Sequence, residues 1–403
     1  MNRILVINTG SSSLKFQLFN FDDLSLVAKG LVERIGESQP VFSNEFNGKK
    51  EKRIVKAPDH KAAFQVVIDD LLDPENNLLK DINEIKGVGH RVVHGAETFA
   101  TTVQINKEVI KKMEECIPLA PLHNPPNLMG ISAAQSLLPQ VPQVGVFDTA
   151  FHQTMDPHAF IYGLPYEMYE KHRIRRYGFH GTSHKYVSKK LMDILNQGPE
   201  GLKIITCHLG NGSSIAAVKD GKSVDTSMGL TPLEGLVMGT RCGDMDPAVV
   251  TFIMDKENMD TKQVDRLMNK QSGMKGISGI SNDFRDLWEA AEKNNKRAQL
   301  ALDVYCYRIK KYLGAYAAAM GGVTDIIFTA GIGENDNGVR EKSLEGLEFM
   351  GVKLDKKANA GKKSERKIST DDSRVRVWII PTNEELMIAR ETREIIEVAK
   401  TPA

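Results

Sequence analysis

Two stretches of this chain share one pattern, and their repetition constrains the fold more than any other feature. Residues 4–19 read ILVINTGSSSLKFQLF, an apolar strand that enters a Gly/Ser turn and leaves as a second strand. Residues 203–228 read KIITCHLGNGSSIAAVKDGKSVDTSM and repeat this arrangement about two hundred residues later. A period of half the chain predicts the duplication of a β-rich domain.

The composition of the two turns indicates what they bind. The glycines permit a positive φ, and backbone N–H groups and serine hydroxyls can then converge on an anion between two strands. A single turn of this kind is weak evidence, because most such turns are ordinary hairpins. Two copies in one chain therefore favour two phosphate-binding hairpins.

Length and charge limit the remaining possibilities. A chain of 403 residues exceeds the usual size of one core, so two domains are expected. Its 53 basic and 52 acidic side chains create no overall field for nucleic acid or anionic lipid. The four cysteines lack zinc-type spacing, and neither a signal sequence nor a membrane-spanning apolar run is apparent. We expect a cytoplasmic protein whose ligands are small molecules.

Two charged residues lie where predicted strands end. Arg91 falls inside the apolar stretch 85–94, where a buried cation needs a partner, so it is either a structural ion pair or an anion ligand. Asp148 follows the strand predicted for residues 141–147. A carboxylate at that point suits metal binding or acid–base work, and its alternative is a helix N-cap.

Two further cations lie beside glycine-rich segments. His180 directly precedes a predicted helix and is either an anion contact or a core histidine. Arg241 lies in the loop 229–247, whose glycines suit closure over a ligand, although a solvated surface arginine is the alternative.

The last third of the chain contains a segment typical of nucleotide contacts and the predicted N-terminus of the last helix. Residues 324–335 read TDIIFTAGIGEN, a strand, glycine turn and helix that can approach a sugar or a flat ring. Thr382 and Glu385 have capping-box spacing, which leaves Glu384 free to face a ligand or simply to be solvated.

Taken together, the motifs NTGSSSLK, GHRVVHG, FDTAFH, YGFHGTSH, HLGNGSS, GTRCGDMDP, TAGIGEN and PTNEEL closely resemble the acetate kinase family. The family belongs to the superfamily of acetate and sugar kinases, heat-shock chaperones and actin. The resemblance implies an α/β fold of two duplicated actin-like (ribonuclease H-like) domains with a nucleotide cleft between them. The first domain would comprise residues 1–150 and 386–403. The second, residues 151–385, would carry most of the nucleotide site.

The resemblance also implies a role for individual residues. Arg91, Asp148, His180 and Arg241 would form the catalytic centre. The ATP site would comprise Lys15, His208, Leu209, Gly210, Asn211, Gly212, Asp283, Phe284, Arg285, Gly331, Ile332, Gly333, Glu334 and Asn335. Arg91, Val93, Leu122, Phe179 and Pro232 would bind acetate, and Asn8 and Glu384 would hold Mg²⁺, for which Mn²⁺ can substitute. The active protein would be a homodimer.

The implied reaction is the reversible transfer of the ATP γ-phosphoryl group to acetate, giving acetyl phosphate and ADP by direct in-line attack. Acetate arrives already ionised, so we expect Asp148 to orient other groups rather than to act as a general base. A propionate or butyrate kinase is the first alternative, because one methylene distinguishes acids only modestly. A chaperone-like or filament-forming ATPase is the second, but no spare domain is apparent after residue 385.

Overall fold

The computed structural model describes residues 2–362 and 364–400. The chain divides into two compact units. Met1–Phe151 and Asn383–Ala403 form the first unit, and His152–Thr382 forms the second.

The described residues form a mixed α/β structure, as predicted. The strands are β1 (Arg3–Thr9), β2 (Ser13–Asn20), β3 (Leu26–Glu33), β4 (Val41–Phe46), β5 (Lys49–Ile54), β6 (Ile85–Val92), β7 (Val103–Gln104), β8 (Gln143–Phe147), β9 (Lys203–Leu209), β10 (Ser213–Lys219), β11 (Lys222–Thr226), β12 (Asp325–Thr329), β13 (Arg366–Lys367) and β14 (Arg376–Ile379). The helices are α1 (His60–Leu72), α2 (Lys107–Glu115), α3 (Asn124–Leu137), α4 (Pro157–Phe160), α5 (Tyr166–His172), α6 (Gly181–Leu195), α7 (Ala248–Glu257), α8 (Thr261–Arg266), α9 (Gly273–Ser278), α10 (Phe284–Glu292), α11 (Lys296–Ala319), α12 (Ala330–Asn335), α13 (Asn337–Leu344), α14 (Lys356–Asn359) and α15 (Glu384–Lys400).

The first unit is built on a sheet of order β5-β4-β3-β2-β1-β6-β8-β7. β1 pairs antiparallel with β2 and parallel with β6, and β6 pairs parallel with β8. Helices α1 and α3 pack together beside this sheet, and α15 packs against β1, β6 and β8. Gly87 and Gly89 lie under α15, where an added Cβ would overlap Ile396 and Thr392. Glycine in β6 thus lets the last helix lie close to the sheet.

The second unit repeats this topology with the order β11-β10-β9-β12-β14-β13. β9 pairs antiparallel with β10 and parallel with β12, which pairs parallel with β14. Each sheet therefore contains a run of three antiparallel strands, β1–β3 in the first unit and β9–β11 in the second. The first strand of each run also begins a run of three parallel strands, which are β1, β6 and β8 in the first unit and β9, β12 and β14 in the second. This correspondence confirms the duplicated α/β fold.

Each unit has a core of its own. In the second unit, the long helix α11 buries Ala298, Tyr305 and Leu313 in a cluster that also contains strand residues of the sheet. In the first, Leu5, Phe16 and other sheet residues pack with residues of α1. No helix in the described part of the chain is long and apolar enough to cross a membrane.

The backbone of the two hairpins differs from the prediction. Gly10, Gly210 and Gly212 do not adopt a positive φ. The turns are closed by hydrogen bonds from Gly10 N to Ser13 O, at 2.9 Å, and from Gly210 N to Gly212 O, at 3.1 Å.

The cap of α15 also lies one residue later than the predicted Thr382. Asn383 Oδ1 accepts from Leu386 N at 2.9 Å, whereas the Thr382 hydroxyl bonds the Ser183 hydroxyl at 2.7 Å. Asparagine caps a helix as well as threonine does, and the Ser183 contact occupies the Thr382 hydroxyl. Glu384 is therefore the first residue of the helix.

Candidate active site

The first hairpin brings together two of the predicted ligands. Asn8 and Lys15 are direct partners across β1 and β2. Both line a cavity of about 540 Å³, to which Glu385 also contributes. Lys15 is exposed and its charge acts on Glu384, so a cationic and an anionic side chain border this end of the sheet.

Arg91 joins two carboxylates at the end of β6. Its Nε and Nη2 atoms lie 3.0 and 2.6 Å from Asp148 Oδ2, and Nε lies 3.6 Å from Glu384 Oε2. The Asp148 side chain is 1% exposed and the Arg91 side chain 22%. The structure thus places the arginine, Asp148 and the predicted metal ligand Glu384 in one cluster, whose arginine still reaches solvent.

The charges of this cluster depend on one another. Burial opposes the charge of Arg91, but the carboxylates of Asp148 and Glu384 outweigh it and raise the pKa of the guanidinium. Burial raises the pKa of Glu384 to about 7, although Arg91 opposes this shift, while Asp148 and Glu385 add to it. A buried carboxylate whose ionisation is opposed in this way, as that of Glu384 is, would be stabilised by a further cation.

Asn127 connects the ends of two strands, a role that no sequence motif indicated. Its Nδ2 donates to Thr9 O at 3.0 Å, and its Oδ1 accepts from Val93 N at 3.0 Å. Gly130, one turn further along α3, has no space for a Cβ beside Thr9. The close approach of α3 thus fixes the first hairpin relative to the backbone that follows Arg91.

The residues predicted to surround the acetate methyl group have very different environments. Val93 is half-buried beside Arg91 in sequence, whereas Leu122 is 72% exposed. Phe179 and Pro232 belong to the second unit, where Phe179 is 3% exposed and the Pro232 carbonyl accepts a hydrogen bond from Arg241. Of these residues, Phe179 is buried, Val93 is half-buried and Leu122 is exposed.

A second cluster surrounds the hairpin of the second unit. The His180 ring stacks on the His208 ring with centroids 4.1 Å apart, and its Nδ1 lies 2.9 Å from Ser214 Oγ. A Cβ added at Gly212 would lie 3.4 Å from Arg241 Nη1 and 3.7 Å from His180 Nε2. The Gly212 backbone thus lies within van der Waals reach of one arginine and one histidine side chain.

Arg241 is a half-buried cation without a carboxylate. Its Nη1 donates to Pro232 O at 3.2 Å and lies 3.7 Å from Met238 Sδ. Within residues 2–362 and 364–400, no acidic side chain forms an ion pair with it, and burial lowers the pKa of its guanidinium. Such a cation is stabilised by an anionic ligand.

A cavity of about 700 Å³ in the same unit is lined by seven of the fourteen residues predicted for the ATP site. Its lining comprises Asn211, Asn282, Asp283, Phe284, Arg285, Trp288, Gly331, Ile332, Asn335, Asp336 and Asn337. Four of these, Asn282, Trp288, Asp336 and Asn337, were not predicted. Trp288 lies four residues after Phe284 on α10, and this helical spacing was a signal that could have identified it.

Other predicted nucleotide residues hold the surrounding structure in place. The Gly333 carbonyl accepts from Arg340 Nη1 at 2.8 Å, and Glu334 Oε1 accepts from Thr382 N at 3.3 Å. Leu209 belongs to the apolar core, and His208 Nδ1 bonds Ser183 Oγ at 2.8 Å.

The donor set in the first unit fits magnesium bound together with a phosphate. Among the described residues, no group of three His, Cys, Asp or Glu side chains could hold a metal alone. Mg²⁺ usually takes one or two carboxylates and completes its shell with water and phosphate oxygens. Two residues offer oxygen ligands of this kind. Glu384 lies beside the carboxylates of Asp148 and Glu385. Asn8 lines the cavity to which Glu385 also contributes.

Two α/β units of one topology, with a glycine hairpin in each and a cavity of nucleotide size in the second, are features expected of a phosphotransferase with two duplicated actin-like domains. The chain belongs to the acetokinase family, whose model matches residues 3–390.

Individual relatives agree with this assignment. An acetate kinase of Alkaliphilus metalliredigens is 59% identical over 396 residues, 98% of this chain and 100% of that protein. The crystal structure of Porphyromonas gingivalis acetate kinase has a TM-score of 0.95 at 49% identity and covers 98% of this chain and 100% of its own. A propionate kinase from Francisella tularensis subsp. tularensis SCHU S4 has a TM-score of 0.91 at 42% identity, with the same coverage.

Proposed function

We propose that this protein reversibly transfers the γ-phosphoryl group of ATP to acetate, giving acetyl phosphate and ADP. The observation that carries the proposal is Arg241, a half-buried cation with no carboxylate partner in the described chain, beside the Gly212 hairpin and His180. An unpaired guanidinium and an imidazole around a glycine form a site for a phosphoryl group. Membership of the acetokinase family supports acetate as the acceptor.

The acceptor needs no general base. A carboxyl group has a pKa of about 4 in water, so acetate is ionised at neutral pH. A carboxylate oxygen forms the new O–P bond in line with the leaving group, the bond between the γ-phosphorus and the bridging oxygen breaks, and ADP leaves with that electron pair. No proton has to be removed, and Asp148 orients Arg91 instead.

Each cation then stabilises charge that spreads over the phosphoryl oxygens. Arg241 and His180 donate to these oxygens in the second unit, and Arg91 contributes a guanidinium held by Asp148 in the first. Mg²⁺, when bound, neutralises charge on the ATP phosphates. Asn8 and Glu384 would hold the ion, and Lys15 would contact the same phosphates. The cavity lined by Asn211, Asp283 and Gly331 holds adenosine.

Phosphorus NMR tests the proposal directly. With ATP, Mg²⁺ and acetate, the spectrum should gain the signals of acetyl phosphate and ADP, and omission of acetate should leave ATP intact. The Arg241→Ala protein should convert the same mixture about 10² times more slowly, because one stabilising cation is gone. ADP formation at the same rate with and without acetate would instead indicate a simple ATPase.

A larger acid is the second candidate acceptor. It is favoured by one observation, the 42% identity and TM-score of 0.91 to the Francisella tularensis propionate kinase. The acetate kinase of Alkaliphilus metalliredigens, at 59% identity, makes acetate the first choice.

The protein acts as a homodimer in the cytoplasm under this proposal. Helix α7 has the sequence AVVTFIMDKE, and none of its residues is buried within one chain. Its Phe252 is 61% exposed, which is unfavourable for a surface that stays in water. Light scattering should give twice the mass of one chain. Phe252→Glu should yield monomers, whereas Phe349→Glu, at another exposed phenylalanine, should not.

A further inference from the structure

Asp244 closes the loop that carries Arg241. Its Oδ1 accepts from Gly235 N at 2.8 Å, and its backbone N–H donates to Gly235 O at 2.9 Å. Gly243, one residue earlier, has a φ of 67°, and a Cβ added there would lie 2.5 Å from Leu236 O. Residues 235–244 are therefore a closed segment whose two ends touch, and we call this segment the Arg241 loop.

Helix α11 contacts Asp244 through two further side chains. The Tyr312 hydroxyl donates to Asp244 Oδ2 at 2.7 Å, and Arg308 Nη2 donates to Asp244 O at 3.1 Å. Tyr312 and Arg308 are four residues apart on α11 and therefore lie on one face of this helix. Burial and the neighbouring Asp244 raise the pKa of Tyr312, so its hydroxyl keeps the hydrogen that it donates. Because α11 packs in the core of the second unit, Asp244 attaches the Arg241 loop to a rigid element.

The middle of the Arg241 loop lies against the second hairpin. Gly239 N donates to Asn211 O at 3.1 Å, and a Cβ added at Gly212 would lie 3.4 Å from Arg241 Nη1. Main-chain hydrogen bonds to residues 268–275 hold the middle of the loop, whereas its two ends meet at the aspartate carboxylate. The direction of the Arg241 side chain therefore depends on both sets of contacts.

We propose that Asp244 and Tyr312 are positioning residues, which hold the Arg241 loop on α11 so that the Arg241 guanidinium meets a phosphoryl oxygen. The effect on catalysis rests on the proposed function, whereas the attachment of the loop does not. A guanidinium on a loosened loop has to be ordered again in each reaction cycle, so loss of the attachment should appear in kcat.

The rate of acetyl phosphate formation tests the effect on catalysis. Asp244→Ala leaves the buried Gly235 N–H without its acceptor and should lower kcat about tenfold or more. The KM for ATP should stay unchanged, because no residue of the Arg241 loop lines the cavity of about 700 Å³. Tyr312→Phe removes one hydrogen bond from the same carboxylate and should lower kcat about threefold.

Tyr316→Phe is the matched control for Tyr312→Phe. Tyr316 lies one turn further along α11, and its buried hydroxyl has no hydrogen-bond partner among the described residues. The same chemical change on the same helix should therefore leave kcat as it is in the unaltered protein. A loss in Tyr316→Phe equal to that in Tyr312→Phe would contradict the role given to the Asp244 contact.

A double variant separates positioning from general damage. If Asp244 acts through Arg241, adding Asp244→Ala to Arg241→Ala should change kcat by less than about twofold. A further loss as large as that in the single variant would overturn the proposal. Asp244→Asn should retain most of kcat, because its amide can still accept from Gly235 N and can donate to the Tyr312 oxygen. An asparagine variant as slow as Asp244→Ala would show that these hydrogen bonds do not position Arg241.

Hydrogen exchange of the full-length protein without substrates tests the attachment itself. The amides of residues 235–244 should exchange faster in Asp244→Ala and Tyr312→Phe than in the unaltered protein or in Tyr316→Phe. Unchanged exchange in folded variants would overturn the proposal. If Asp244→Ala does not fold, Tyr312→Phe, which loses a single hydroxyl, provides both measurements.

The two proposals fail separately. A protein that forms no acetyl phosphate, but whose Arg241 loop exchanges faster in these variants, would contradict the proposed function alone. Acetyl phosphate formation with an unchanged kcat in Asp244→Ala and Tyr312→Phe would contradict only the positioning role.

Discussion

The Nε and Nη2 atoms of Arg91 both donate to a single oxygen, Oδ2, of Asp148, at 3.0 and 2.6 Å. No described side chain hydrogen-bonds Nη1, and the arginine is 22% exposed. One edge of the guanidinium is thus fixed by a buried carboxylate while the other can meet an anion. This arrangement agrees with Asp148 as the group that orients Arg91.

The two arginines should respond differently to removal. Arg91→Ala leaves Asp148 buried without its ion pair and should cost about 3 kcal/mol of unfolding free energy, whereas Arg241→Ala breaks no ion pair and should cost less than about 1 kcal/mol. Both should lower kcat about 10²-fold. Denaturant unfolding and steady-state kinetics measure the two effects. Equal losses of unfolding free energy in the two variants would contradict the finding that Arg91 is ion-paired and Arg241 is not. An unchanged kcat in either variant would show that the substituted arginine has no catalytic role.

Gly331 offers a test of the nucleotide cavity that leaves the protein otherwise undisturbed. A Cβ added there meets no atom within 4 Å, and the residue lines the cavity of about 700 Å³. Gly331→Leu should therefore fold normally and raise the KM for ATP at least about tenfold, since the side chain occupies the ligand space.

Gly314→Leu is the matched control for this change. An added Cβ at Gly314 also meets no atom within 4 Å, but the residue lies on α11 outside the cavity lining. Its KM for ATP should stay unchanged. An unaltered KM in Gly331→Leu would place adenosine elsewhere.

Val93 should influence which acid is accepted. Val93→Ala removes two methyl groups from a small apolar wall, leaving space that propionate fills and acetate does not. The ratio of kcat/KM should shift toward propionate by about fourfold, the effect of roughly 0.8 kcal/mol for one methylene. Damage to β6 would instead lower kcat for both acids alike. An unchanged ratio in the folded variant would exclude Val93 from the acid pocket.

His90 should make the stability of the protein depend on pH. It is buried, bonds Gln143 Oε1 at 2.8 Å, and burial lowers its pKa to about 4. Because the folded pKa lies below the unfolded value of about 6.5, the unfolded chain binds more protons between these two values. The contribution is full above pH 6.5 and falls by about 3 kcal/mol toward pH 4.

Denaturant unfolding between pH 4 and 7 compares the unaltered protein with His90→Gln, which does not titrate at this position. The pH dependence of stability should be weaker in the variant. Identical slopes would show that His90 does not carry this effect.

The sequence predicted those features that depend on short segments. The two hairpins, the strand end with Arg91 and the glycine turn at Gly331 are each set by a few consecutive residues and their periodicity. The capping residue of α15 was wrong by one position, because Thr382 and Asn383 are equally good caps and only the bond to Ser183 decides between them.

Contacts between distant residues were outside the reach of this reasoning. Asn127 bonds Thr9 across 118 residues, and Ser214 bonds His180 and His184 across 34 and 30. Nothing in the local pattern of either residue shows such a partner. The positive φ that glycine permits in the first hairpin is not adopted by Gly10, whose backbone N–H instead closes the turn on Ser13 O at 2.9 Å.

The most direct test of the proposed reaction is a hydroxamate assay with ATP, Mg²⁺ and each of acetate, propionate and butyrate. Hydroxylamine traps only an activated acyl group, so the assay reports both the transfer and the acceptor. We predict hydroxamate formation with the highest kcat/KM for acetate, and an amount equal to the ADP released. ADP release without hydroxamate, or at a rate independent of the added acid, would contradict phosphoryl transfer to a carboxylate.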